Sequence, residues 1–304
     1  MPAPSQSPDC STGQYHAGEV IQLTAAPADG WRVGAWSGTD DDASTELTNG
    51  VTMPAADHTV SVEYVEGTLL RVLLVDDDDE APDVRGAYLE ALAAVGGGLT
   101  VTVWHTANSD DEPDAATLAL YDAVVWFTGA EFGGFAGPSA ASEAALAAYL
   151  DGGGCLFLSS QDYLWDRGGQ GDDLPTAFMT DYLGVASGLS DQQQTAVTGA
   201  GPVFDGMGSY TLVYPFGNYS DLLTPAIGAA VAWESEDGIV ALSKKGDAYK
   251  TTYWAFPFEA LPTLEGRLEA LQRFLSWCLV APGVLFSDGF ETGDTSRWSA
   301  TVQH

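Results

Sequence analysis

The chain is short of positive charge: 10 lysines and arginines stand against 43 acidic residues, a formal net charge of −33 over 304 residues. Such an imbalance repels nucleic acid and anionic bilayers, so neither is expected as a partner. It suits a protein bathed in salt, whose cations screen the repulsion. Long apolar runs are also missing; none reaches the roughly 18 residues that a membrane-spanning helix needs. Cysteine is scarce, with three in all, and the spacing of Cys10, Cys155 and Cys278 fits neither a CxxC redox pair nor a zinc ligand set. Histidine is scarce too, with four in all. What is plentiful is apolar content, 45% of residues, enough to bury one large core and one small one.

The start, Met1-Pro-Ala-Pro-Ser-Gln-Ser-Pro, is polar and reads as a linker over residues 1–9, of the kind that follows a trimmed export signal. Residues 10–66 hold short alternating runs such as Val20-Ile-Gln-Leu-Thr and Thr59-Val-Ser-Val-Glu-Tyr between turn residues. That pattern predicts a small all-β domain. The succession Gly18-Glu-Val-Ile-Gln-Leu-Thr-Ala, Pro27-Ala-Asp-Gly-Trp, Trp36-Ser-Gly, Met53-Pro and Asp57-His-Thr-Val-Ser-Val resembles the bacterial internalin-type B repeat. The resemblance implies a secreted or cell-surface address. Trp31 and Trp36 are expected to pack that small core rather than to form a glycan platform.

After Gly67 the period changes. Arg71-Val-Leu-Leu-Val is a continuous apolar run that ends in the acidic stretch Asp76-Asp-Asp-Asp-Glu80, and residues 82–95 read as a helix with Tyr88, Leu89 and Leu92 on one face. Leu99-Thr-Val-Thr-Val-Trp-His105, Asp122-Ala-Val-Val-Trp-Phe-Thr and Cys155-Leu-Phe-Leu-Ser read as the next strands, with a helix at 144–150. A further strand, Thr252-Tyr-Trp-Ala-Phe, precedes a final helix over 264–279 carrying Leu268, Leu271, Phe274 and Leu275. Strands alternating with helices predict an α/β domain over 67–281, an open doubly wound parallel sheet. Residues 282–304 are expected to be an extended tail, docked by Phe290 and Trp298.

Ligands in such sheets bind beyond the carboxyl ends of the strands. The rule selects the acidic loop, His105, residues 129–135 and the Ser159-Ser-Gln-Asp162 turn. Leu158-Ser-Ser160-Gln-Asp162 sits where a nucleophile elbow would, and Phe256-Pro-Phe-Glu259 follows the later strand. With these motifs the domain resembles the class I glutamine amidotransferase-like superfamily, and the resemblance implies a flavodoxin-like fold. It puts Ser160 at the place of the family's cysteine nucleophile and keeps the glutamate as Glu259. The histidine is lost and Leu158 and Asp162 replace the elbow glycines, so glutaminase activity is not expected.

Two functions from different classes follow. One is a secreted hydrolase of ester or amide bonds on a small or polymeric, bulky aromatic extracellular substrate, with Ser160 as nucleophile and Glu259 or Asp77 as its support. His105 is the other candidate base, but in a 2-1-3-4 strand order it stands three spacings from Ser160, about 14 Å at roughly 4.8 Å each. The alternative is a noncatalytic module that binds a glycan, peptide or cation. In either case Trp126, Phe132, Phe135, Gln161, Tyr163 and Trp165 are the candidate binding residues, within a wider aromatic set that includes Tyr214, Phe216 and Tyr219. Asp76, Asp77 and Asp78 either cap the following helix or hold a cation, with Ca²⁺ the ion considered and no cofactor required. A monomer is expected. Cys155 opens its strand at the edge where the last helix ends near Cys278, so the two are either bridged or separately buried.

Overall fold

A computed structural model describes residues 2–27, 31–66, 70–96, 98–107 and 110–279. The expected tail, with Phe290 and Trp298, lies outside them.

The N-terminal region contains β1 (Pro2–Ala3), β2 (Val20–Thr24), β3 (Trp31–Ser37), β4 (Thr48–Thr52) and β5 (Ser61–Glu66). β1, β2 and β4 form one antiparallel sheet and β3 pairs with β5. In β2 burial alternates residue by residue, so Ile21 and Leu23 join Ala25, Val33, Trp36 and Val51 in a small core. Two expectations are corrected here. Residues 1–9 are not simply a linker: Pro2 and Ala3 pair with Leu23 and Gln22, and buried Ser7 bonds Glu19 through its hydroxyl. The sheet edge at β2 offers unpaired backbone groups, and the first residues cover it. Trp31 is 43% exposed, because it opens β3 at the end of a two-stranded ribbon, whereas Trp36 is buried and donates to the Glu46 carbonyl at 3.1 Å.

The body runs β6 (Leu70–Asp76), α1 (Arg85–Val95), β7 (Leu99–His105), α2 (Ala115–Leu118), β8 (Ala123–Phe127), α3 (Ala140–Asp151), β9 (Cys155–Ser159) and α4 (Tyr163–Arg167). A turn of π-helix (Met179–Leu183) then leads to β10 (Val185–Leu189), β11 (Ala196–Gly199), α5 (Gly201–Phe204) and β12 (Ser209–Thr211). The remainder is β13 (Leu222–Pro225), β14 (Ala229–Glu234), β15 (Ile239–Lys245), β16 (Lys250–Trp254) and α6 (Leu264–Leu279). Nine strands make one sheet in the order β12-β11-β14-β15-β16-β9-β8-β6-β7. Its β7, β6, β8, β9 and β16 are mutually parallel, while β15, β14, β11 and β12 run antiparallel to their neighbours. The sheet is therefore mixed rather than parallel as expected. The reason is local: β14, β15 and β16 are joined by short turns, which permit only antiparallel pairing. β10 and β13 form a separate antiparallel pair.

In the parallel half the strands are apolar on both faces, as double cover requires. Val72 and Leu74 face a cluster with Tyr88 and Leu92 of α1 and Leu271 and Phe274 of α6. Leu73 and Val75 face the opposite cluster, with Leu118 of α2 and Leu146 and Leu150 of α3. Cys155 and Cys278 form a disulfide with Cα atoms 5.8 Å apart, which ties the first residue of β9 to the end of α6. Beside it Lys250 Nζ donates to the Trp277 carbonyl at 2.6 Å, placing a cation at the helix's negative end.

Candidate ligand-binding site

The carboxyl ends of the parallel strands gather Asp76, His105, Phe127, Ser159 and Trp254 along one edge. The turn after β9 is stitched to β16: the Ser160 amide donates to the Trp254 carbonyl at 3.0 Å, and Ser159 Oγ accepts from the Phe258 amide at 2.9 Å. Ser160 is 1% exposed. Its Oγ accepts from Thr128 Oγ1 at 2.7 Å and from the Tyr163 amide at 3.1 Å. It thus closes the first turn of α4, and neither of these partners is a base.

The residues expected to support Ser160 have partners elsewhere. Asp77 accepts from Thr106 Oγ1 at 2.5 Å and from Trp126 Nε1 at 3.0 Å. Glu259 is buried and accepts from the Tyr88 hydroxyl at 2.7 Å; burial raises its pKa to about 7. His105 ends β7, with β6 and β8 between it and β9, and its Nδ1 lies 3.1 Å from Asp76 Oδ2. Arg85 Nη1 reaches the same carboxylate oxygen at 2.8 Å. Asp76 is raised to about 7, first by burial and then by Asp78, against the pull of Arg85. None of the four expected catalytic residues hydrogen-bonds another: two strands stand between His105 and Ser160, and Glu259, although β16 is next to β9, is held by Tyr88 of α1.

Asp76, Asp77 and Asp78, for which helix capping or a cation was expected, each have protein partners. Asp76 faces Arg85 and His105, Asp77 faces Thr106 and Trp126, and Asp78 accepts from the amides of Glu80 at 2.8 Å and Val84 at 2.7 Å. The last pattern is turn and helix-start chemistry. Among the described residues no three His, Cys, Asp or Glu side chains form a group that could hold a metal ion.

A second region of the same edge is built differently. Phe132, Asp162, Trp165, Asp191 and Tyr219 line a cavity of about 220 Å³. Phe132 is 67% and Tyr219 48% exposed, so aromatic faces stand at the surface. Polar side chains from the segment after β9 hold them there. Gln161 donates to the Gly217 carbonyl at 3.0 Å and accepts from the Tyr219 amide at 3.0 Å, fixing the loop that carries Tyr219. Asp166 accepts from the amides of Gly134 at 2.8 Å and Ala136 at 2.9 Å, fixing the loop that carries Phe132. Gly137 closes that loop against the Tyr163 ring at φ +98°, where a Cβ would come within 2.5 Å of the ring. Asp191 is anchored through its amide, which donates to Asp221 Oδ1 at 3.1 Å.

Carboxylates crowd behind the aromatic faces. Burial, then the charges of Asp166 and Asp191, raises Asp162 to about 7. Asp221 is pushed well up by burial and by Asp162, Asp191 and Asp173. Asp162 Oδ2, Asp173 Oδ1 and Asp221 Oδ2 are buried without a hydrogen-bond partner.

Of the six expected binding residues, Phe132 and Trp165 line this cavity and Gln161 positions its wall. Trp126 and Tyr163 are buried core residues; their rings belong to the α2/α3 face of the sheet, so they are corrected to packing roles. Phe135 is exposed but is not among the lining residues. Asp191 was not visible as a site residue, since it sits in a polar loop without periodicity. Tyr219 stood in the wider aromatic set.

Residues 6–68 match the family model of the divergent InlB B-repeat domain. The N-terminal region is thus similar to a known bacterial repeat. No curated protein matches the chain. Among solved structures, a ThuA-like protein from Bacteroides uniformis is 12% identical, with a TM-score of 0.47, over 71% of this chain and 94% of that one. A cytoplasmic protein from Salmonella typhimurium is 14% identical, with a TM-score of 0.44, over 73% and 90%. A β-galactosidase from Halorubrum lacusprofundi is 17% identical, with a TM-score of 0.39, over 77% of this chain and 32% of that one.

Proposed function

We propose that the chain is a noncatalytic extracellular binding module that holds one glycan residue in the cavity of Phe132, Trp165, Tyr219, Asp162 and Asp191. The observation that carries this reading is the pairing of solvent-facing aromatic rings with carboxylate acceptors in one small hollow. Aromatic faces pack against the C–H faces of a sugar ring, and carboxylates accept its hydroxyls. The volume of about 220 Å³ falls below the roughly 300–1,000 Å³ of drug-sized pockets, which suits a single ring. An extracellular setting is supported by the repeat match and by the Cys155–Cys278 bridge, which oxidising compartments preserve.

We read the body as a relative of the class I glutamine amidotransferase-like superfamily, flavodoxin-like in its parallel half, that has lost its catalytic set. Ser160 at the elbow, Glu259 after β16 and Pro257 in place of the family's histidine support that reading. The hydrolase alternative is favoured by one feature, the elbow position of Ser160. It requires that the Thr128 and Tyr163 bonds to Oγ be broken before attack. Titration of a monosaccharide panel with tryptophan fluorescence, beside turnover of short aromatic esters, separates the two. Saturable sugar binding without turnover is expected; turnover abolished by Ser160→Ala, with no sugar binding, would overturn the proposal.

A further inference from the structure

We infer that the sugar recognised in this cavity carries a free, protonated amine: an amino sugar whose ring lies on Trp165 and whose ammonium donates to Asp162. The inference rests on the glycan-binding reading above and narrows it to a ligand class. Four observations point to it independently of composition. Asp162 lines the cavity, is 6% exposed and has an Oδ2 buried without a hydrogen-bond partner. A buried carboxylate oxygen left in this state is costly, and a ligand donor relieves it once the carboxyl turns its Oδ2 into the cavity. Asp191 lines the same cavity, and Asp173 and Asp221 add two more buried orphan oxygens among carboxylates that repel one another. A ligand with positive charge offsets that repulsion, which a neutral hydroxyl does not. The cation of α4 is engaged elsewhere: Arg167 pairs with Glu143 at 3.2 Å. Finally, the aromatic rings favour a cation held against them.

An ammonium supplies what the hollow lacks, since it combines the charge with N–H donors. A quaternary nitrogen has no N–H to give to Asp162, and an acetylated amine has no charge. No covalent step is involved.

The test is a fluorescence titration of the full chain at pH 7 with glucosamine, glucose and N-acetylglucosamine, repeated on Asp162→Asn and on Asp191→Asn. Glucosamine is expected to bind about tenfold more tightly than the other two, and the preference is expected to fall to about threefold or less in Asp162→Asn. Asp191→Asn provides the same reading, in a smaller degree, if Asp162→Asn does not fold. Equal binding of all three sugars would overturn the amine requirement while leaving the glycan reading in place. No binding of any sugar would overturn both. A saturable response to calcium chloride that sodium chloride at equal ionic strength does not reproduce, and that abolishes glucosamine binding, would assign the carboxylates to a metal and overturn the inference.

Discussion

The turn after β9 and the cavity beside it are made from one short segment, yet they are in opposite states. At the turn, Ser160 is buried and its oxygen already accepts two hydrogen bonds. In the cavity, Phe132 and Tyr219 are exposed and Asp162 keeps a buried oxygen without a partner. Position in the fold nominates both places equally. What separates them is whether the polar atoms are already satisfied by the protein: the Ser160 hydroxyl is, and Asp162 Oδ2 is not.

That contrast can be broken or sharpened by experiment. The largest effect is expected at the disulfide, at the end of β9 opposite both regions. Replacing Cys155 and Cys278 with serine should lower unfolding stability by about 4 kcal/mol, because the bridge closes a long loop. Denaturant melts will measure it, and the unreduced, denatured protein should titrate one thiol, Cys10. Ser160→Ala should cost about 1–3 kcal/mol, since it strands the Thr128 hydroxyl and the Tyr163 amide. Its sugar affinity should stay within about threefold of wild type. Trp165→Ala should show the reverse, a loss of about tenfold or more in sugar affinity, about 1.4 kcal/mol, with little change in melting. If Ser160→Ala weakened binding as much as Trp165→Ala, the two regions would be one site. Asp162→Asn should stabilise the ligand-free protein at pH 8 by about 1 kcal/mol, because it removes a buried charge among like charges.

A further effect concerns pH. Asp162, Asp76, Glu131 and Glu259 all have folded pKa values raised to about 7. Between the ordinary carboxylate range and 7 the folded state therefore binds more protons than the unfolded one, so stability falls as pH rises through that window. The melting temperature should be higher at pH 5 than at pH 8, and Asp162→Asn should flatten the difference. A rise in melting temperature from pH 5 to pH 8 would contradict the assigned burial.

Much of the body was legible because its strands are short apolar runs between amphipathic stretches. Leu73 and Val75 on one face and Val72 and Leu74 on the other leave little choice but a doubly covered sheet. The antiparallel half was not read, although Glu236-Asp-Gly238 between β14 and β15 carries a turn signal. Its strands look alike whether their neighbours run with or against them, and only the connections decide. At the site, sequence position found Ser160 but not its hydrogen-bond partners, which come from Thr128 after β8 and Tyr163 in α4. Asp191 was beyond reach, since its place depends on the amide bond to Asp221, 30 residues away.

The account stands most directly on a structure of the chain crystallised with glucosamine. It predicts the sugar ring in contact with Trp165 and the amine nitrogen within hydrogen-bond distance of Asp162. Sugar bound instead beside His105, or an acyl adduct on Ser160 after exposure to an aromatic ester, would contradict it.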